Sequence, residues 1–146
     1  MTTSLIELFI RDLNKLNDEI LAYPDEYSLW EVDASIKNSG GNLAIHIIGN
    51  LNHFIGAHIG STNYIRQRDK EFNDKNVPRE LIVDHIKDIK NILIDVLSSL
   101  NNEVLSRNYP IEVFGKPMST EYFLIHLYGH LNYHLGQINY NRRLLS

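Results

Sequence analysis

Apolar residues recur at three- and four-residue steps along most of the chain, which is the spacing of one face of an α-helix. The clearest run follows Pro78 and contains Leu81, Ile82, Ile86, Ile89, Leu93, Val96, Leu97 and Leu100. A second run lies near the start and contains Leu5, Ile6, Phe9, Ile10, Leu13, Leu16 and Ile20. No comparable series alternates apolar and polar residues, so the sequence predicts an all-α fold.

The first two predicted helices are separated by a long loop. Ser4 followed by Glu7 fits a capping box at the start of helix 1, which ends near Pro24. The stretch after it is rich in turn-forming residues and closes with Asn-Ser-Gly-Gly. We expect the second helix to run from about Asn42 to Asn63.

Two further helices complete the expected architecture. Pro78 suits the first turn of the third helix, and Ser119 can cap the fourth. With 146 residues the chain is the size of one domain and can bury a core of its own. We therefore expect residues 1–146 to form a single domain, an antiparallel four-helix bundle with a long loop between helices 1 and 2.

Composition excludes several classes of function. The formal net charge of −4 provides no positive field for phosphate backbones or anionic lipids, so neither a nucleic-acid partner nor a membrane partner is expected. The absence of cysteine excludes disulfides and thiolate ligands, which leaves histidine and carboxylate to bind any metal. No apolar run reaches the length of a membrane span, and the first residues do not resemble a secretory signal, so we expect a cytoplasmic protein.

Histidines are concentrated in two of the predicted helices. The segment FLIHLYGHLNYHLGQI places His126, His130 and His134 four residues apart, and residues at this spacing lie on nearly the same face of a helix. His130 and His134 can therefore bind one ion, as the histidine pair of zincin helices does. The glutamate that follows the first histidine in zincins is Leu131 here, so no general base accompanies the pair. The alternative is that these are ordinary core or interface histidines.

A third ligand has to come from another helix. The segment AIHIIGNLNHFIGAH contains His46, His53 and His58, of which the first two lie nearly two turns apart on one face. Periodicity does not decide between His46 and His53. His126 could also replace either member of the pair on the fourth helix.

Both histidine-rich helices carry glycines seven residues apart, Gly49 with Gly56 and Gly129 with Gly136. A glycine inside a helix costs up to about 1 kcal/mol relative to alanine, so two such pairs call for a packing reason. We expect close approach of helices along these strips, either within the bundle or across a dimer interface.

The histidine motifs resemble those of the DinB/YfiT-like superfamily of four-helix-bundle proteins. HIIGN, from His46 to Asn50, is similar to the family's H-x-x-x-N segment on the second helix, and GHLNYHLGQ is similar to its late H-x-x-x-H pair with an H-x-G-Q ending. The resemblance implies a divalent metal, commonly nickel, zinc or iron, bound by His46, His130 and His134, and it implies a homodimer. Four further residues would then support the ligands or line the pocket: Asn50, His53, His126 and Gln137.

Three imidazoles leave at least one coordination position open, which is typical of a catalytic rather than a structural metal site. An ion in such a site can activate water or a bound low-molecular-weight thiol towards a small-molecule substrate. The resemblance implies a metal-dependent hydrolase or a thiol-dependent S-transferase or isomerase, without choosing between them. No acidic residue lies within the two histidine motifs, so a general base has to come from elsewhere. The alternative is a non-catalytic metal-binding or structural dimeric helical bundle.

Overall fold

Six α-helices account for most of residues 1–33 and 35–145, the part of the chain that the computed structural model describes. They are α1 (Thr2–Ala22), α2 (Gly40–Leu51), α3 (Arg68–Asn73), α4 (Arg79–Ser98), α5 (Asn102–Ser106) and α6 (Thr120–Leu145). A 3-10 turn spans Ser28–Trp30, and a π-helical turn, Asn52–Ala57, directly follows α2. No β-strand occurs within the described ranges, so the predicted all-α fold is confirmed. No helix in these ranges is long and apolar enough to span a membrane.

The four long helices α1, α2, α4 and α6 form the bundle. α1 packs against α4 and α6, and α2 packs against α6 and α4. Most residues of the predicted stripes of α1 and α4 are buried, because each helix turns its apolar face towards the other helices. Leu81 is an exception, since it lies in the first turn of α4 with 42% of its surface exposed. From α6 the core receives Phe123, Leu124, Leu127, Leu131, Leu135 and Ile138.

The predicted start of helix 1 is wrong. α1 begins at Thr2, and the amide of Leu5 already donates to the carbonyl of Met1 at 3.1 Å. Ser4 therefore lies inside the first turn, where its side chain cannot cap the helix. No side-chain hydrogen bond caps this end of α1, so the capping box with Glu7 does not form.

The predicted starts of the third and fourth helices agree better with the structure. Pro78 occupies the N-cap position immediately before α4. The hydroxyl of Ser119 accepts a hydrogen bond from the amide of Tyr122 at 3.0 Å, which confirms Ser119 as the capping residue of α6.

The second helix begins earlier and changes its geometry before it ends. It starts at Gly40, and its α-helical part finishes at Leu51. The π-helical turn Asn52–Ala57 carries the chain a little further. Ser61 then adopts a φ of 54°, a left-handed conformation that a right-handed helix cannot include. The helix consequently stops before Asn63, the end predicted from the sequence.

The charged segment between α2 and α4 folds back onto the bundle. The side-chain amide of Asn42 donates to the carbonyl of Glu71 at 3.0 Å and to that of Asp74 at 2.8 Å. These bonds fix α3 against the start of α2. As a result the side chain of Glu71 is carried into the interior, where the residue is only 3% exposed.

Two aromatic residues hold the predicted long loop between α1 and α2 against the start of α2. The ring of Trp30 covers Gly41 so closely that a Cβ there would lie 2.8 Å from it, and a Cβ at Gly40 would lie 2.0 Å from the hydroxyl of Tyr23. The two glycines predicted to close the loop therefore form the first turn of α2 and leave room for these rings.

A buried carboxylate connects α1 with α6. Asp12 is fully buried and accepts hydrogen bonds from Arg11 at 2.8 Å, from the hydroxyl of Tyr128 and from the side-chain amide of Asn132 at 3.1 Å. Burial raises the pKa of Asp12, but these hydrogen bonds outweigh burial and lower the pKa to about 2. The carboxylate is therefore ionised at neutral pH and stabilises the packing of the two helices.

We expect Asp12→Asn to lower the free energy of unfolding at neutral pH by about 2 kcal/mol, the size of the pKa shift. Because the pKa is lower in the folded than in the unfolded chain, this stabilisation is present above about pH 4 and is lost as the pH falls to about 2. Urea unfolding across this interval should show the gap between wild type and variant closing. Asp18→Asn, at an exposed position of α1, is the control. A stability difference between wild type and Asp12→Asn that does not change with pH would contradict the lowered pKa of Asp12.

Candidate metal centre

α2 and α6 bring three histidines together. The Nε2 atom of His130 lies 3.2 Å from Nε2 of His46 and 3.2 Å from Nε2 of His134. The ligand atoms of the three residues all lie within 4.8 Å of one another, and within the described ranges this is the one group of its kind. Nitrogen ligands at about 2.0–2.1 Å from a tetrahedral metal are separated by about 3.4 Å. The observed spacing therefore suits one shared ion.

The outer nitrogens of two of these rings are held by acceptors. Nδ1 of His46 donates to Oε1 of Glu71 at 2.9 Å, and Nδ1 of His134 donates to Oε1 of Gln137 at 2.8 Å. These bonds keep the ring proton on Nδ1 and leave the lone pair on Nε2. Both lone pairs point to the Nε2 atom of His130, which can donate a proton to only one of them.

His130 itself is held in the neutral form. Burial, followed by the neighbouring rings of His134 and His46, lowers the pKa of His130 to about 4. Burial also lowers the pKa of His134, against the opposing hydrogen bond to Gln137. Neutral imidazole is the form that binds a metal. The donor set, its protonation and its spacing therefore fit a divalent cation.

Glu71 is a charged residue that contacts this group through His46, and the sequence analysis did not identify it. Burial raises the pKa of Glu71, but the hydrogen bonds from His46 and Arg66 lower it by more than burial raises it. The pKa of Glu71 therefore lies below its usual value. Arg66 donates to both carboxylate oxygens, from Nε and from Nη2, at 2.9 Å each. The ionised carboxylate thus orients His46 and is itself neutralised by Arg66.

Gly49 makes the approach of Glu71 feasible. A Cβ at position 49 would lie 2.1 Å from Oε2 of Glu71, a distance that no real contact allows. The glycine strip of α2 is therefore approached closely by another helix at this point, and that helix is the short α3, whose Glu71 carboxylate fills the space. On α6, a Cβ at Gly129 or Gly136 would have no atom within 4 Å among the described residues. The approach predicted for that strip does not occur within the described part of the chain.

The four residues predicted to support the site occupy different positions. Gln137 binds His134, as described above. Asn50 is buried beside His46, and its Oδ1 has no hydrogen-bond partner within the described ranges. His126 is exposed and contacts the ring of Phe114 at a centroid distance of 4.8 Å. The ring of His53 contacts the rings of Phe54 and His58, and within the described ranges it contacts none of the three clustered rings.

Two cavities reach the three-histidine group. The smaller has a volume of about 270 Å³ and is lined by both His46 and His130. The larger has a volume of about 760 Å³ and is lined by His134 and Gln137 together with Lys37 and exposed tyrosines. Small molecules can therefore approach the histidine cluster from two directions.

The comparisons with known proteins agree with this architecture. The model of the family described as "Protein of unknown function (DUF1572)" matches residues 3–146. A conserved protein from Enterococcus faecalis superimposes with a TM-score of 0.80 at 16% identity, over 99% of this chain and 96% of that chain. A DinB-like protein from Bacillus cereus superimposes with a TM-score of 0.73 at 19% identity, over 96% of this chain and 89% of that chain. No curated protein sequence matches.

We expect Gly49→Ala and Gly136→Ala to have opposite effects on stability. The alanine at position 49 has to displace the buried carboxylate of Glu71, which should lower the free energy of unfolding by roughly 1–3 kcal/mol. The alanine at position 136 enters open space on α6 and should raise it by up to about 1 kcal/mol through helix propensity. Urea unfolding at neutral pH measures both. Equal stabilities of the two variants would contradict the packing described for Gly49.

Proposed function

This chain belongs to the DUF1572 family, a DinB-like family, and from that premise we propose that it is a metal-dependent enzyme whose divalent ion is held by His46, His130 and His134. The observation that carries the proposal is the convergence of three Nε2 atoms. Those of His46 and His134 present lone pairs to that of His130, which has at most one proton to share between them. Imidazole ligands suit zinc, nickel and iron, so the identity of the ion has to be measured.

The residues around the ligands support this proposal. Glu71 and Gln137 accept from the outer nitrogens of His46 and His134, an arrangement that fixes ring orientation and increases the basicity of metal-binding histidines. Such hydrogen bonds are hard to explain for three histidines that serve only to fill a core. Core packing would not require neutral rings to present lone pairs to each other.

The proposed reaction uses the open side of the ion. Three protein ligands leave room for another ligand, and an ion bound in this way supplies Lewis acidity to water or to a low-molecular-weight thiol. The protein's own residues would orient the reactants, since His134 lines the larger cavity and His46 and His130 line the smaller one. Two cavities are more useful to a transfer between two molecules than to hydrolysis, so we favour a thiol-dependent transferase over a hydrolase.

A non-catalytic metal-binding or structural bundle is the second candidate. The observation that favours it is the position of Glu71, which is engaged by His46 and Arg66 and lies on the far side of the His46 ring from the other two histidines. Glu71 is therefore not free to act as a general base. In this alternative the ion would stabilise the contact between α2 and α6 without turnover.

We also propose that the protein is a homodimer, as the family resemblance implies. The uncovered strip containing Gly129 and Gly136 is not assigned to this contact, because Gly136 lines the larger cavity together with the exposed Tyr133 and Tyr140.

Replacement of His130 by alanine tests the metal site. We expect wild-type protein purified without chelator to hold about one divalent ion per chain, and His130→Ala to lose most of it, because two remaining imidazoles bind more weakly than three. Elemental analysis gives the stoichiometry, and circular dichroism checks that helicity is retained. His53→Ala, which removes an imidazole away from the cluster, should keep its metal. Unchanged metal content in His130→Ala would refute the proposed ligand set.

Turnover separates the enzyme from the non-catalytic bundle. We expect metal-loaded protein to accelerate transfer of a low-molecular-weight thiol to an electrophile, and His130→Ala to lose this rate together with the metal. Esters and amides tested alongside measure hydrolysis. Stoichiometric metal without turnover of any of these mixtures would support the non-catalytic alternative.

A further inference from the structure

The smaller cavity has a chemical character of its own. Its volume of about 270 Å³ lies just below the usual range for small-molecule sites, about 300–1,000 Å³, so it suits only a small ligand. It opens beside His46 and His130, and its walls come from the end of α2, from the segment before α3, from the loop before α6 and from α6 itself. A ligand inside it would therefore lie next to the histidine cluster.

Aromatic rings form the apolar part of this cavity. The ring of Phe123 packs against Phe54 at a centroid distance of 5.1 Å and against Phe114 at 6.0 Å. His126 contacts both Phe114 and Phe123. Such walls favour a flat or aliphatic body and disfavour a fully hydrated ion.

The charged residues that line the cavity are both cationic. Arg66 and Arg68 contribute to the lining, whereas no aspartate or glutamate does. Arg66 is neutralised by Glu71, but Arg68 lies over the ring of Phe72 at 5.5 Å and makes no ion pair or hydrogen bond with any described residue. Its guanidinium is available to an anionic ligand, in a protein whose overall charge is −4.

Asn50 adds a polar side chain to the wall of this cavity. Asn50 is 6% exposed, and its Oδ1 has no partner in the described part of the chain. That oxygen can only accept hydrogen bonds, so it does not bind an anionic group, and the anionic contact is assigned to arginine.

We propose that this cavity binds a small organic carboxylate, with the anionic group recognised by Arg68 and the apolar body lying against the phenylalanine rings. Its role as a substrate subsite rests on the proposed metal-dependent function. Binding itself does not depend on the metal, because the arginine and the aromatic walls belong to the protein.

Calorimetric titration with sodium benzoate tests the proposal on both metal-free and zinc-loaded protein. We expect benzoate to bind both forms. Its neutral analogue benzamide should bind at least roughly tenfold more weakly, because it lacks the negative charge. Inorganic phosphate, which has charge but no apolar body, should also bind more weakly than benzoate.

A matched pair of variants locates the anionic contact. Arg68→Gln should weaken benzoate binding roughly three- to fivefold, the effect of one partly exposed ion pair, and Arg68→Lys should recover most of the affinity. Lys70→Gln makes the same change of charge on the same short helix at a position outside this cavity, and should bind like wild type.

Two outcomes would overturn the proposal. Equal affinities for benzoate and benzamide would exclude recognition of the carboxylate. Benzoate binding that occurs only with zinc and is unchanged in Arg68→Gln would show simple ligation of the ion. Elemental analysis of the same samples keeps the carboxylate site and the metal-dependent function separate. If the protein holds no metal but still binds benzoate more tightly than benzamide and phosphate, only the proposed function is refuted.

Discussion

The ionised carboxylate of Glu71 is the interaction on which the architecture of the site depends. It joins α2, the segment before α3 and α3 itself through His46 and Arg66, and it occupies space that only Gly49 leaves free. A buried charge is costly unless it is paired and hydrogen-bonded, and here both oxygens have cationic or N–H partners. The short charged segment is thereby fixed to the bundle, and the orientation of one proposed ligand follows from it.

Much of the fold follows from periodicity, since the apolar stripes of α1 and α4 are mostly buried as the sequence indicates. The pairing of His130 and His134 follows from helix geometry alone. The choice between His46 and His53 does not, because both residues lie on one face when a regular helix is assumed. The structure brings His46 to the pair, and Glu71 supplies the hydrogen bond that orients it. A glutamate in a charged stretch carries no local sign that tertiary packing will bury it.

The site also shows a conflict between stability and chemistry. Burial and neighbouring rings keep His130 neutral, so three imidazoles with converging lone pairs are held close together without the charge that would drive them apart. The unpartnered oxygen of Asn50 adds a second local defect in the same region. By contrast, the carboxylate of Asp12 on the other side of α6 is fully satisfied. The unpartnered oxygen of Asn50 therefore lies beside the proposed ligands, whereas the satisfied carboxylate of Asp12 holds the scaffold.

The π-helical turn Asn52–Ala57 has a consequence for the shape of the smaller cavity. A wider turn rotates each residue by less than the 100° or so of an α-helix, so residues four apart drift less around the axis. His46, Asn50 and Phe54 are spaced at four residues and line the same cavity. In an uninterrupted α-helix the third of these would swing away from the first. The local change in backbone pitch thus keeps an imidazole, a carboxamide and a phenyl ring in one row along the wall of the smaller cavity.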